Sequence, residues 1–309
     1  MGRRVSFPFE ALPEGEVTPW PGPGDRQELL ERDVRIIRWF IEQREGRKIG
    51  TSPLGDLLEA YKGADLNAPS TTVESVPTDT ALFLLHASAH FMRLAWAIRA
   101  LCGRGALEQV DGSFITDELL GQDSKERDIK RKLPGGVGTL VFAGRLVQAG
   151  GGRVRISGNQ VPGHDIRWVT ADGDTVLVER KDRSYEAGVT DTAEKRAIRV
   201  IQEVKRTHIP VESGAARILV VGFQHLVKQD EMKIVDPAYQ HALETAFQGE
   251  SRVGLPHMVV VEHLGMEPRT GGVKSNFFSP QPLNWQPGLM DRVGRLLVSA
   301  IGAESLLRG

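Results

Sequence analysis

Asp172-Gly173 stands between two runs rich in β-branched residues, 166–170 and 175–181, and it constrains this chain more than any other feature. A turn dipeptide of this kind between alternating segments predicts a hairpin, with a type I′ turn that needs positive φ at both central positions. Two antiparallel strands follow. Side chains on a strand alternate faces, so Glu179 and Lys181 share one face and Arg180 takes the other. Asp165 opens the partner strand, within reach of the Glu179 face. Two carboxylates and an amine meeting beside a sheet can hold a hard divalent cation and orient a water. That chemistry suits phosphodiester hydrolysis.

Pro162-Gly163-His164-Asp165, then residues 166–178, then Glu179-Arg180-Lys181 resembles the motif of the PD-(D/E)XK, or restriction-endonuclease-like, nuclease superfamily. The resemblance implies an α/β fold with an αβββαβ core and a mixed sheet. The coarse reading of the chain has the same order: a helix over 137–149, strands over 153–157, 165–170 and 175–181, a helix over 191–207 and a strand over 216–223. It further implies that Asp165, Glu179 and the Arg180 carbonyl ligate Mg²⁺ or Mn²⁺, and that Lys181 orients or activates the attacking water. The chain departs from the family where the first core helix often carries a glutamate, because Leu140 and Val141 stand there instead. That departure motivates an alternative, a catalytically inactive nuclease-like domain that binds nucleic acid or protein. A third reading makes Asp165 and the E-R-K run a surface salt-bridge cluster on an unrelated α/β fold.

The net charge of −1 offers no global field for a polyanion, so a nucleic-acid surface must be local. From Ile129 to His164 there is no acidic residue, while Arg145, Arg153 and Arg155 fall inside that stretch. They are expected to contact phosphates, the competing reading being a solvated face. Lys195 and Arg199 form a second cationic stripe on the following helix. The expected partner is nucleic acid, DNA in the first instance, with no membrane. Cys102 is the single cysteine and residues 1–20 have no apolar leader pattern, which together read as cytoplasmic.

Residues 1–24, dense in proline and glycine, read as an extended arm, 25–130 as a helical N-terminal domain and 131–309 as the nuclease-like domain. The most apolar helix begins at Thr78 and runs to Cys102, and Arg93 and Arg99 interrupt it too often for a membrane span. His86, His90 and Arg93 lie on one line of that helix. Ala87 replaces the base of the H-E-x-x-H metal motif, so these histidines read as structural. The mixed-charge run 117–132 places a boundary near 130. Pro134 and the glycines of 135–138 read as a flexible entry to the next helix rather than a phosphate cradle, because no G-K-[ST] ending follows. Residues 265–286 read as a long loop before a terminal amphipathic helix.

Overall fold

The structure is a computed structural model, and it describes residues 5–16, 26–62, 78–122, 129–158, 163–183, 193–227, 235–248, 254–266, 273–277, 281–284 and 286–301. Among these, the N-terminal helices are α1 (Arg26–Arg38), which continues as a π-helical turn over Trp39–Arg44, α2 (Pro53–Lys62) and α3 (Thr78–Cys102). Ser52 caps α2, accepting the Gly55 N–H at 3.1 Å. A short strand β1 (Leu107–Val110) and a second π-helical turn (Phe114–Leu119) lead to α4 (Ile129–Gly150). Then come β2 (Arg153–Ile156), β3 (Ile166–Val169), β4 (Thr175–Arg183), α5 (Ala193–Arg206) and β5 (Ala215–Val227). The chain closes with α6 (Val235–Ala246), β6 (Met258–Met266), β7 (Val273–Phe277), β8 (Gln281–Pro282) and α7 (Leu289–Ala300).

The eight strands among the described residues form one mixed sheet in the order β1 to β7, with β8 paired to β6. β2, β3 and β4 are successive antiparallel neighbours, whereas β4, β5 and β6 run parallel. Parallel neighbours need a long crossover, and α5 and α6 supply it. The burial of the strands follows from this placement. β2 and β3 alternate between buried and accessible positions, as one-sided strands do, while Val176, Leu177 and Val178 of β4 are all buried because both faces are covered there.

The two faces carry separate cores. On one, Val178, Ile218 and Val260 pack with α1, α3, α4 and α7, and this cluster runs without a break from Leu12 across residue 130 to Ile301. On the other, Leu219, Val221 and Val259 pack with Val200 and Val204 of α5 and Leu243 of α6. No helix among the described residues is long and apolar enough to cross a membrane.

Four local expectations are corrected. The 172–173 hairpin has no type I′ turn, since only Gly173, at φ +90°, has positive φ there. Thr170 N–H instead bonds to Asp174 O and Gly173 N–H to Thr170 O, a three-residue loop with the glycine in the position that needs positive φ. α4 begins at Ile129 and carries Pro134 and the glycines inside it, so 135–138 is helix and not a flexible entry. β7 and β8 occupy part of the stretch expected to be a loop, where β6 offers them an edge to pair with. β1 was not expected at all; four residues are too few for a period, and its pairing with β2 is what defines it.

Candidate active site

Asp165 and Glu179 are brought together where the β3–β4 pairing begins. That pairing starts at Ile166 opposite Val178; Asp165 stands just before it, with its N–H bonded to Val178 O at 2.8 Å and its Oδ2 accepting the Arg180 N–H at 2.6 Å, which holds it beside Glu179. Glu179 lies on the face that α5 covers farther along the sheet. Lys181, two residues on, hydrogen-bonds and ion-pairs with Glu179 Oε1. The Glu179 side chain is only 11% exposed and that of Lys181 41%, so the ammonium sits at the rim and the carboxylate beneath it. Burial, and then the neighbouring Glu179 carboxylate, push the Asp165 carboxyl up to about 7, against the pull of the Arg180 N–H and Lys181. The three side chains named from the sequence therefore converge.

Arg180 points the other way. Its side chain is 2% exposed and pairs with Asp182 at 2.7 Å and with Glu262 of β6 at 2.6 Å. Glu262 also holds Arg93 of α3 at 2.7 Å, so one buried carboxylate joins two guanidiniums. Burial alone would raise the Glu262 carboxyl, but Arg180 and Arg93 outweigh it and hold it well below its ordinary value. The space for this comes from glycines. Gly222 lies between Asp182 and Glu262 across the strands, and a Cβ there would come within 2.2 Å of Asp182 Oδ1 and 2.5 Å of Arg180 Nη2. On the helix above, a Cβ at Gly138 would meet Arg180 Nη2 at 2.4 Å. Gly138 of α4 is thus explained by an arginine packed against the helix.

The expected phosphate contacts divide. Arg145 is buried, with its guanidinium bonded to Ala300 O and drawn toward Glu262, so it faces the core and not a polyanion. Arg153 and Arg155 are exposed, and both reach Glu108 of β1, an acid that lies outside the acid-free stretch in sequence and inside it in space. Lys195 is exposed and Arg199 half-buried on α5. Of the residues on α3, His90 and Arg93 are buried, while the side chain of His86 lies outside the described residues. Burial raises the Cys102 thiol to about 11, which disfavours the thiolate.

Glu118 and His164 were not expected at the site. Glu118, on the second π-helical turn beside Gly136 of α4, is close enough to raise Asp165 further, and His164 lies within electrostatic reach of Glu179, Arg167 and Glu212. No spacing rule links residue 118 to the hairpin. Glu262 did leave a signal, because an acid after Met258-Val259-Val260-Val261 needs a buried partner.

Asp165 and Glu179 are the residues that could hold a metal. Two neighbouring carboxylates, with Asp165 raised first by burial and then by Glu179, form a donor set whose repulsion a divalent cation would offset. Among the described residues no group of three or more His, Cys, Asp or Glu could hold an ion, which leaves oxygen donors from water and substrate to complete the set. No family model, no curated protein and no solved structure matches this chain.

Proposed function

We propose that this protein is a metal-dependent nuclease with a restriction-endonuclease-like core, hydrolysing phosphodiester bonds of DNA or RNA through Asp165, Glu179 and Lys181. The observation that carries the reading is the approach of the Asp165 and Glu179 carboxylates where the β3–β4 pairing begins, with Lys181 bonded to Glu179 at the exposed rim. The element order α4, β2, β3, β4, α5, β5 supports it, being the order αβββαβ.

Mg²⁺ or Mn²⁺ held by Asp165 and Glu179, when bound, supplies Lewis-acid polarisation of a phosphoryl oxygen and of water. The chain's own residues do the rest. The Arg180 N–H donates to Asp165 Oδ2 at 2.6 Å and fixes that carboxylate, leaving its other oxygen to act as a ligand. Lys181 has three N–H donors, of which Glu179 takes one, so the others can orient a water or meet charge developing on phosphate. Water adds its oxygen to phosphorus, one P–O ester bond breaks, and the leaving oxygen takes up a proton. No serine or cysteine nucleophile is required.

One observation favours the inactive binding module: α4 contains no acid anywhere along its length. A single assay separates the two. Single- and double-stranded DNA and RNA are incubated with the full chain in Mg²⁺, Mn²⁺ or EDTA, with binding followed in parallel. Cleavage that needs the cation supports the nuclease. Binding without cleavage in any cation supports the module.

A further inference from the structure

We propose that the open face of β1, β2 and β3 is the track on which the nucleic-acid backbone lies, with Arg155 and Arg167 as phosphate contacts held ready by Glu108 and Glu212. The inference rests on the nuclease reading and deepens it by placing the substrate.

The track begins in the register. Arg155 on β2 is paired with Arg167 on β3, and Arg167 with Leu177 on β4. Asp165 lies two residues before Arg167, and Glu179 two residues after Leu177. Two residues along a strand is about 6.6 Å, so the guanidinium row lies one step from the carboxylates. His164 bridges the rows, within electrostatic reach of Arg167, Glu212 and Glu179. Among the described residues the face is open at Arg153 and Arg155: the apolar cluster under α5 and α6 draws its strand residues from β5 and β6, and that of Leu177, Ile209 and Ala215 ends at β4. Among the described residues, no apolar cluster lies over this face of β1, β2 or β3.

The charges on it are arranged for exchange. Like charges directly opposite on neighbouring strands destabilise a sheet, so the facing pair Arg155 and Arg167 is a cost to the fold. Glu108 and Glu212 offset it. Glu212 takes Arg167 in a two-pronged pair through Oε1 at 2.7 Å and Oε2 at 2.5 Å, and Glu108 takes Arg155 at 2.8 Å and Arg153 at 3.2 Å. A phosphate presents the same paired oxygens to the same fork, so each glutamate stands where a phosphate would. The Arg155 and Arg153 side chains are 58% and 74% exposed, and the Arg167 and Glu212 side chains 30% and 42%. Exposed pairs of this kind are worth about 0–1 kcal/mol, so a phosphodiester backbone can displace the carboxylates at little cost. Three guanidiniums against two carboxylates leave the row one positive charge in excess.

The test is binding of labelled single-stranded and duplex DNA and RNA oligonucleotides to the full chain in EDTA, across a salt series. Combining Arg155→Ala with Arg167→Ala should weaken duplex DNA binding roughly tenfold or more and lower the log–log salt slope by about 2, near 0.9 per phosphate contact. Glu212→Gln should act in the opposite direction, tightening binding, because it releases Arg167. A merely structural pair would move neither quantity upward. Wild-type slopes in the double variant, or unchanged affinity in Glu212→Gln, would overturn the track; with cation-dependent cleavage intact, that result would leave the nuclease reading standing. Binding that follows these arginines without any cleavage would support the track and count against catalysis. A wild-type chain that neither binds nor cleaves any of the four oligonucleotides would overturn both.

Discussion

The Arg180 N–H donates to Asp165 Oδ2 at 2.6 Å where the β3–β4 pairing begins, while the Arg180 side chain is buried beneath α4. One residue therefore ties the candidate active site to the charged cluster beneath α4. Its guanidinium cannot shift without moving the strand that holds Asp165.

Glu262→Gln should be strongly destabilising for that reason. The substitution leaves Arg93 and Arg180 buried without their shared carboxylate, and removing one partner of a buried pair typically costs about 3–5 kcal/mol. Chemical denaturation should show the loss as a lower midpoint at unchanged slope. A cost within the range of surface pairs would mean that the two arginines find other partners.

Gly222→Ala should cost about 1–3 kcal/mol through overpacking. The new methyl would collide with Asp182 Oδ1 and Arg180 Nη2, and both atoms are fixed by their mutual pair, so neither can swing clear cheaply. Thermal melts of this variant and of Gly222→Ala combined with Asp182→Ala check it. The second change removes one of the two obstacles, and the two costs should then be less than additive.

The hairpin was legible because its signal is local: turn residues, β-branched runs and the alternation that puts Glu179 and Lys181 on one face. Helix α3 was legible for the same reason, as a long segment that is apolar on most of its faces. What escaped depends on partners distant in the chain. Arg145 reads as a surface cation, since arginine is rarely buried, and only the fold brings Glu262 and the Ala300 carbonyl to it. Gly138 reads as part of a loop because Arg180, which needs the space, belongs to a strand that follows later. The acid-free stretch read as a cationic patch until β1 delivered Glu108 to Arg153 and Arg155.

Asp33 should make stability fall as pH rises through the mildly acidic range. Burial, opposed by Arg32, raises its carboxyl from 3.8 to about 6, so the folded chain holds a proton that the unfolded chain has lost. In the window from about 4 to about 6 the folded state binds more protons, and the unfolding free energy declines with pH. The contribution is fully present below the lower value and gone above the higher. Asp33→Asn should flatten that part of the stability–pH profile, measured by denaturant unfolding at several pH values; an equally steep decline would assign it to other groups.

Glu179→Ala and Lys181→Ala should both abolish cation-dependent cleavage, by different routes. Removing Glu179 deletes an oxygen donor from a pair that has no third acid close enough to make a set of three among the described residues, so metal binding should weaken and excess metal should restore part of the activity. It also removes the charge that, after burial, raises Asp165. Removing Lys181 leaves both carboxylates in place and takes away a donor that acts on water or on charge developing in the transition state. Turnover should fall by about 10²–10⁴-fold while metal affinity and oligonucleotide affinity stay near wild type. Calorimetric metal titration beside single-turnover cleavage separates the two. Equal loss of metal affinity in both variants would make Lys181 a structural partner of Glu179, and cleavage that survives both, or persists in EDTA, would place the chemistry elsewhere on the molecule.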